Sequence, residues 1–94
     1  MNPVIGADCY QVWYVNGERH RADGPAIIYA NGTRAWYVNG KRHRTDGPAI
    51  IRANGTQAWY VNDVRYHTLT EYQKAASIDD ATMTFLLLQH GFDI

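Results

Sequence analysis

The stretch "WYVNGKRHRTDGPAIIRANGTQA" (residues 36–58) nearly repeats "WYVNGERHRADGPAIIYANGTRA" (residues 13–35), so that Trp36 follows Trp13 by 23 residues. A period of this length belongs to arrays in which each unit buries its apolar face against its neighbours. A third copy opens at Trp59 with "WYVNDVRYH" and then departs, with Asp63 in place of the glycine and Tyr66 in place of the histidine. Ahead of the first copy, "PVIGADCYQV" (residues 3–12) aligns with "AIIYANGTRA" as a degenerate half-unit. The chain thus divides into a β-repeat array over residues 1–67 (half-unit 3–12, repeats 13–35 and 36–58, partial copy 59–67) and a helical C-terminal cap over residues 68–94.

Turn chemistry sets the strands. Asn16-Gly17 and Asn39-Gly40 follow Trp-Tyr-Val, and Asn31-Gly32 and Asn54-Gly55 follow Ala-Ile-Ile. Asn-Gly suits the two positive-φ positions of a tight hairpin. Asp23-Gly24-Pro25 and Asp46-Gly47-Pro48 mark the remaining junction, where proline removes a ladder donor at a strand start. Each unit is therefore expected to hold a strand around Trp-Tyr-Val, an extended segment around Arg-His-Arg and a strand around Ala-Ile-Ile. The expected fold is mainly β, an elongated antiparallel meander.

After His67 the pattern becomes helical. Thr68-Leu-Thr-Glu71 is a capping box that opens a helix to about Ala76. Ser77-Ile-Asp-Asp80 reads as a second start, with its acids at the positive end of the dipole. That helix is expected to run through Phe85-Leu-Leu-Leu88, with Gly91 as its stop and Phe92 folding back. Two short helices would cover an open end or face of the array, whose last unit has no neighbour.

The wording at residues 36–43, "WYVNGKRH", followed by Gly47 and the "ANG" turn at residues 53–55, resembles the MORN repeat. It is most similar to a divergent "WYVNGKRHR-DGPA" form found in small phage and bacterial proteins. The resemblance spans about two-thirds of the chain and implies stacked MORN-like β-hairpins without catalysis.

Composition narrows the function classes. Three Trp, seven Tyr and two Phe in 94 residues mean that aromatic faces supply much of the burial. Net charge is zero, but residues 13–67 carry Arg19, Arg21, Arg34, Lys41, Arg42, Arg44, Arg52 and Arg65 against Glu18, Asp23, Asp46 and Asp63. From Thr68 onward only Lys74 opposes Glu71, Asp79, Asp80 and Asp93, so the acidic tail could fold against the basic body. Cys9 is the single cysteine, which excludes an internal disulfide and is read as a buried small residue at a degenerate turn. With no leader and no apolar run long enough for a bilayer, the expected location is cytoplasmic, the host cytoplasm if the chain is phage-encoded, with no membrane partner. Asn31-Gly32-Thr33 and Asn54-Gly55-Thr56 match glycosylation acceptors but are read as turns.

Trp13, Trp36 and Trp59, with Val15, Val38 and Val61 on the same face, are the expected core, with Trp36 in the middle copy flanked on both sides. Tyr14, Tyr37 and Tyr60 alternate to the other face, either packed beneath the helices or exposed as a stripe. Stacking turns Arg19, Arg42 and Arg65 into one column, His20 and His43 into a second, and Arg21 and Arg44 into a third. These residues are the candidate binding set for an anionic partner, because guanidinium forks bind carboxylate and phosphate bidentately. The structural alternative pairs each Arg with Asp23, Asp46 or Asp63.

Copied histidines lack the distinct roles that catalysis needs and make a poor metal site, so neither an enzyme nor a metal or other cofactor is expected. The expected function is a non-catalytic protein-binding module with a bacterial protein or complex as partner. Its phage-like wording extends this to an inhibitor of a host defence complex such as a CRISPR effector. Competing expectations are a sponge for a nucleotide signal, a nucleic-acid binder, and a structural adaptor or homodimer paired through sheet edges.

Overall fold

The computed structural model describes residues 11–90 and the backbone of residues 4 and 5. Cys9, Gly91 and Phe92 lie outside the described residues. The strands are β1 (Val4–Ile5), β2 (Gln11–Val12), β3 (Tyr14–Val15), β4 (Glu18–Arg19), β5 (Ile27–Ile28), β6 (Arg34–Ala35), β7 (Tyr37–Val38), β8 (Lys41–Arg42), β9 (Ile50–Ile51), β10 (Gln57–Val61) and β11 (Val64–Tyr66). The helices α1 (Leu69–Ala76) and α2 (Asp80–His90) follow. The fold is mainly β, an antiparallel meander with two short C-terminal helices, and it is elongated, 40 × 29 × 19 Å.

Two rows of strands run side by side. The first is the antiparallel order β1-β2-β5-β6-β9-β10-β11, with Ile27 opposite Val12 and Ala35, and Ile50 opposite Ala35 and Ala58. Here small and branched residues alternate across the strands and bury Val12, Ile27 and Ala35. The second row begins as the hairpins β3-β4 and β7-β8 and ends in the β10-β11 hairpin. Backbone bonds join its hairpins across units: Arg21 N to Tyr37 O (3.2 Å) and Gly40 N to Arg19 O (2.9 Å). The same pair recurs 23 residues on as Arg44 N to Tyr60 O (3.1 Å) and Asp63 N to Arg42 O (2.8 Å). Each tryptophan sits where one row passes into the other, with Trp13 N bonded to Ala26 O and Trp36 N to Ala49 O.

The expected hairpins form at both Asn-Gly sites of each unit, but the two-residue turn only at the first. Asn16-Gly17 and Asn39-Gly40 both have positive φ at both residues (50° and 79°), as the two-residue turn requires. Asn62-Asp63 keeps this shape at 50° and 70°, since Asp tolerates the left-handed region better than most residues. At Asn31-Gly32 only the glycine is left-handed (φ 92°). Asn31 there uses its side chain, whose Oδ1 accepts from Thr33 N at 2.9 Å. The extended segments also fall one residue earlier than expected: strand pairing covers Glu18–Arg19 and Lys41–Arg42, and each histidine begins the exit.

Thr68 caps α1 as its sequence implies, its hydroxyl accepting from Glu71 N at 3.2 Å. The second start is corrected. Ser77 closes α1 in the left-handed conformation, and Asp79 caps α2 by accepting from Thr82 N at 2.7 Å. A carboxylate at a helix start gains from the dipole as well as the hydrogen bond, so Asp79 displaces the serine. Both helices pack on the third unit, where Trp59, Val61, Tyr72 and Met83 form a buried cluster.

Candidate binding surface

The hairpin row presents two faces, because cross-strand partners share a side and successive residues alternate. On one face Tyr14 is opposite Arg19, Tyr37 opposite Arg42 and Tyr60 opposite Arg65. Between units the guanidinium of Arg19 lies 5.4 Å from the Tyr37 ring centre, and that of Arg42 lies 4.5 Å from the Tyr60 ring centre. Read across the row, the face is a ladder: Tyr14, Arg19, Tyr37, Arg42, Tyr60, Arg65. Cation–π contacts of this kind hold the cations in place without neutralising them.

The ladder is not uniform. Arg42 Nε bonds Asp63 Oδ1 at 2.8 Å, and Arg42 Nη1 donates to the Tyr60 hydroxyl at 3.3 Å. The hydrogen bond to Asp63 raises the Arg42 pKa, and the same bond lowers that of Asp63. One unit earlier, Gly40 stands where Asp63 stands, so the described residues offer Arg19 no carboxylate partner. Arg19 is exposed, and Tyr14, Gly17, Glu18, Arg19 and Gly40 line an open hollow beside it of about 300 Å³. Tyr14 is exposed, Tyr37 half-buried and Tyr60 buried. The tyrosine stripe is thus open at the first unit, and the helices cover the opposite face of the third.

That opposite face carries the tryptophans, and there the other arginines are clips. Arg21 stacks 4.0 Å over Trp13, bonds Asp23 through Nε at 3.0 Å and donates from Nη1 to Pro25 O at 3.2 Å. Arg44 repeats this over Trp36 at 3.9 Å, with Asp46 at 2.8 Å and Pro48 O at 3.1 Å. The Arg21 hydrogen bond holds the Asp23 carboxyl below its ordinary pKa. His20 and His43 join units: Nδ1 of each accepts from the backbone N–H of Asn39 and Asn62, both at 3.0 Å. Of the ten candidates, Arg21, Arg44, His20 and His43 therefore hold the array together on the tryptophan side. Tyr14, Tyr37, Tyr60, Arg19, Arg42 and Arg65 share the ladder.

In the third unit His67 replaces the clip arginine, and Trp59 is met by Tyr72 instead, edge-on with ring centres 4.7 Å apart. The buried Tyr72 hydroxyl donates toward the carbonyls of Arg44 (2.8 Å) and Gly47 (3.1 Å), and burial pushes its pKa up to about 12. His90 Nε2 lies 3.1 Å from Asp46 O, and a side chain on Gly47 would run into that ring and the Arg44 guanidinium. Tyr72 and Gly40 were absent from the sequence candidates. Gly40 was legible, since the Gly-to-Asp change at Asp63 shows which arginine is left uncovered.

Among the described residues no group of three or more His, Cys, Asp or Glu is placed to hold a metal ion, and no helix is long and apolar enough to cross a membrane. Compared with models of known protein families, with curated proteins and with solved structures, the chain matches none.

Proposed function

We propose that the protein is a non-catalytic, MORN-like binding module whose tyrosine–arginine ladder docks on an acidic surface of another protein. The observation that carries this reading is the uncapped Arg19, opposite Tyr14 and 5.4 Å from the Tyr37 ring centre, while its copy Arg42 is already neutralised by Asp63. Arg65 extends the same face at the other end and is likewise exposed. Tyrosine and arginine are, with tryptophan, the side chains enriched at the energetic centres of protein interfaces. A row of short hairpins pinned by cross-unit bonds presents them with little entropy left to lose. The phage-like wording of the repeat supports a bacterial protein or complex as the target, and inhibition of a host defence assembly as the consequence.

The test is Arg19→Glu with Arg65→Glu. Exposed substitutions usually shift stability by about 0.5 kcal/mol or less, so the double variant should melt like the parent protein. Capture of a partner from bacterial lysate should be salt-sensitive with the parent chain and lost with the variant. If the variant captures the same proteins at the same salt, the ladder is not the binding face. A rise in melting temperature with micromolar nucleotide, absent in the variant, would favour the nucleotide sponge instead.

A further inference from the structure

The seat that Tyr72 fills on the third unit has a counterpart on the second, which no helix among the described residues occupies. Tyr72 lies between Trp59 and the loop of Arg44 and Gly47, with Val61 and Tyr66 beside it. Subtracting 23 from each number gives Trp36, Arg21, Gly24, Val38 and His43. These five residues, with Arg44 and Asp46 among others, line an open groove of about 500 Å³. Trp13, Val15, His20 and Arg21 line a smaller hollow of about 290 Å³ on the first unit.

The groove is continuous with the interface that α1 and α2 already make. Arg44 and Asp46 form its far wall, and the carbonyls of the same two residues receive Tyr72 and His90. The established interface also shows what chemistry fills the seat: a tyrosine whose hydroxyl reaches two loop carbonyls. Ala75 and Ala76, three and four residues on, let the helix lie close to the sheet. Arg44 lies 3.9 Å over the Trp36 ring and is tied to its own loop by Asp46 and Pro48 O, so an incoming ring would meet Trp36 beside Val38 from the side of Arg21 and Gly24. The groove's arginines are each paired with an aspartate, Arg21 with Asp23 and Arg44 with Asp46, which leaves shape and hydrogen bonds to recognise the ligand.

We propose that this groove is a second binding site, independent of the ladder, for an amphipathic helix of a partner protein carrying Tyr-x-x-Ala-Ala. The phenol takes the place beside Trp36 that Tyr72 takes beside Trp59, donating to the carbonyls of Arg21 and Gly24.

The probe is a side-chain-stapled helical peptide with the sequence of residues 68–77, added to the intact protein. Stapling is needed because a helix this short is marginal in water. The indole N–H signals of the three tryptophans report the site. Saturable movement of the Trp36 signal with Trp59 unmoved is expected, with an affinity insensitive to salt. A peptide with Tyr72→Phe should bind about fivefold more weakly, and one with Tyr72→Ala should not bind. Val38→Glu in the protein should abolish binding. Val38→Gln, which adds no charge, should weaken it and serves if the glutamate variant does not fold. Movement of Trp59 instead would mean that the peptide replaces α1, and no movement of Trp36 at millimolar peptide would mean that the groove is not a site. Movement of Trp36 with protein concentration alone would make a second copy the occupant. Each of these three results overturns the proposal.

Discussion

Trp36 and Trp59 hold the same position in successive copies, yet Trp59 is fully buried and Trp36 is half-buried. The sequence points to the middle tryptophan as the one flanked on both sides. Stacking within a row, however, covers an indole only at its edges, and its face must be covered by something lying across the row. For Trp36 that is the aliphatic and guanidinium surface of Arg44; for Trp59 it is Tyr72 with Met83 behind it. Trp59→Ala should therefore cost on the order of 3–5 kcal/mol, as large-to-small changes in closed cores do. Trp36→Ala should cost clearly less, because its cavity opens to water and Arg44 can settle into it. Urea denaturation of the two variants checks this, and equal losses would put the core elsewhere. The copied residues were legible because a 23-residue offset lets each contact be read twice. Tyr72 was not, because it lies after the period ends and meets Trp59 only through the turn into α1.

At the scale of elements, the caps show what a local signal can and cannot tell. Thr68 reads correctly because its hydroxyl and Glu71 N are three residues apart and nothing competes. Ser77 misleads because the chain must first leave α1, and its left-handed φ of 58° is spent on that exit. α2 then has a titrating group at each end. Asp79, at its start, has a pKa lowered by the hydrogen bond with Thr82, so its contribution is present above the usual carboxylate pKa and is lost as pH falls through the lower, folded value. His90, at its end, has a pKa lowered first by burial and then by the Arg44 charge. The fold therefore favours the neutral ring, and stability declines as pH falls below the ordinary histidine value of about 6.5 toward the folded one. Acid should thus loosen α2 in two steps, the mildly acidic step belonging to His90 and the strongly acidic one to Asp79. Helical circular dichroism and melting followed against pH should show His90→Gln removing the first step alone. A first step unchanged in that variant would assign it to another group.

Across the whole molecule, the stack is held by a short set of contacts used twice. Asn39 N to His20 Nδ1, Arg21 N to Tyr37 O and Gly40 N to Arg19 O join the first unit to the second. Asn62 N to His43 Nδ1, Arg44 N to Tyr60 O and Asp63 N to Arg42 O join the second to the third. Both proposed sites depend on these joints, since the ladder exists only if the hairpins share one row and the Trp36 groove only if neighbouring loops keep their spacing. Sequence periodicity exposed the units but not these joints. A side-chain acceptor standing in for a backbone carbonyl, as His20 and His43 do, leaves no signature beyond the conserved spacing of a copied residue. Native-state amide hydrogen exchange tests the stack most directly. The amides of Arg21, Asn39 and Gly40 should be protected together, and those of Arg44, Asn62 and Asp63 together and more strongly, because the helices close that end. Exchange of the first set at the rate of an unstructured chain, with the second set still protected, would contradict the stacked array.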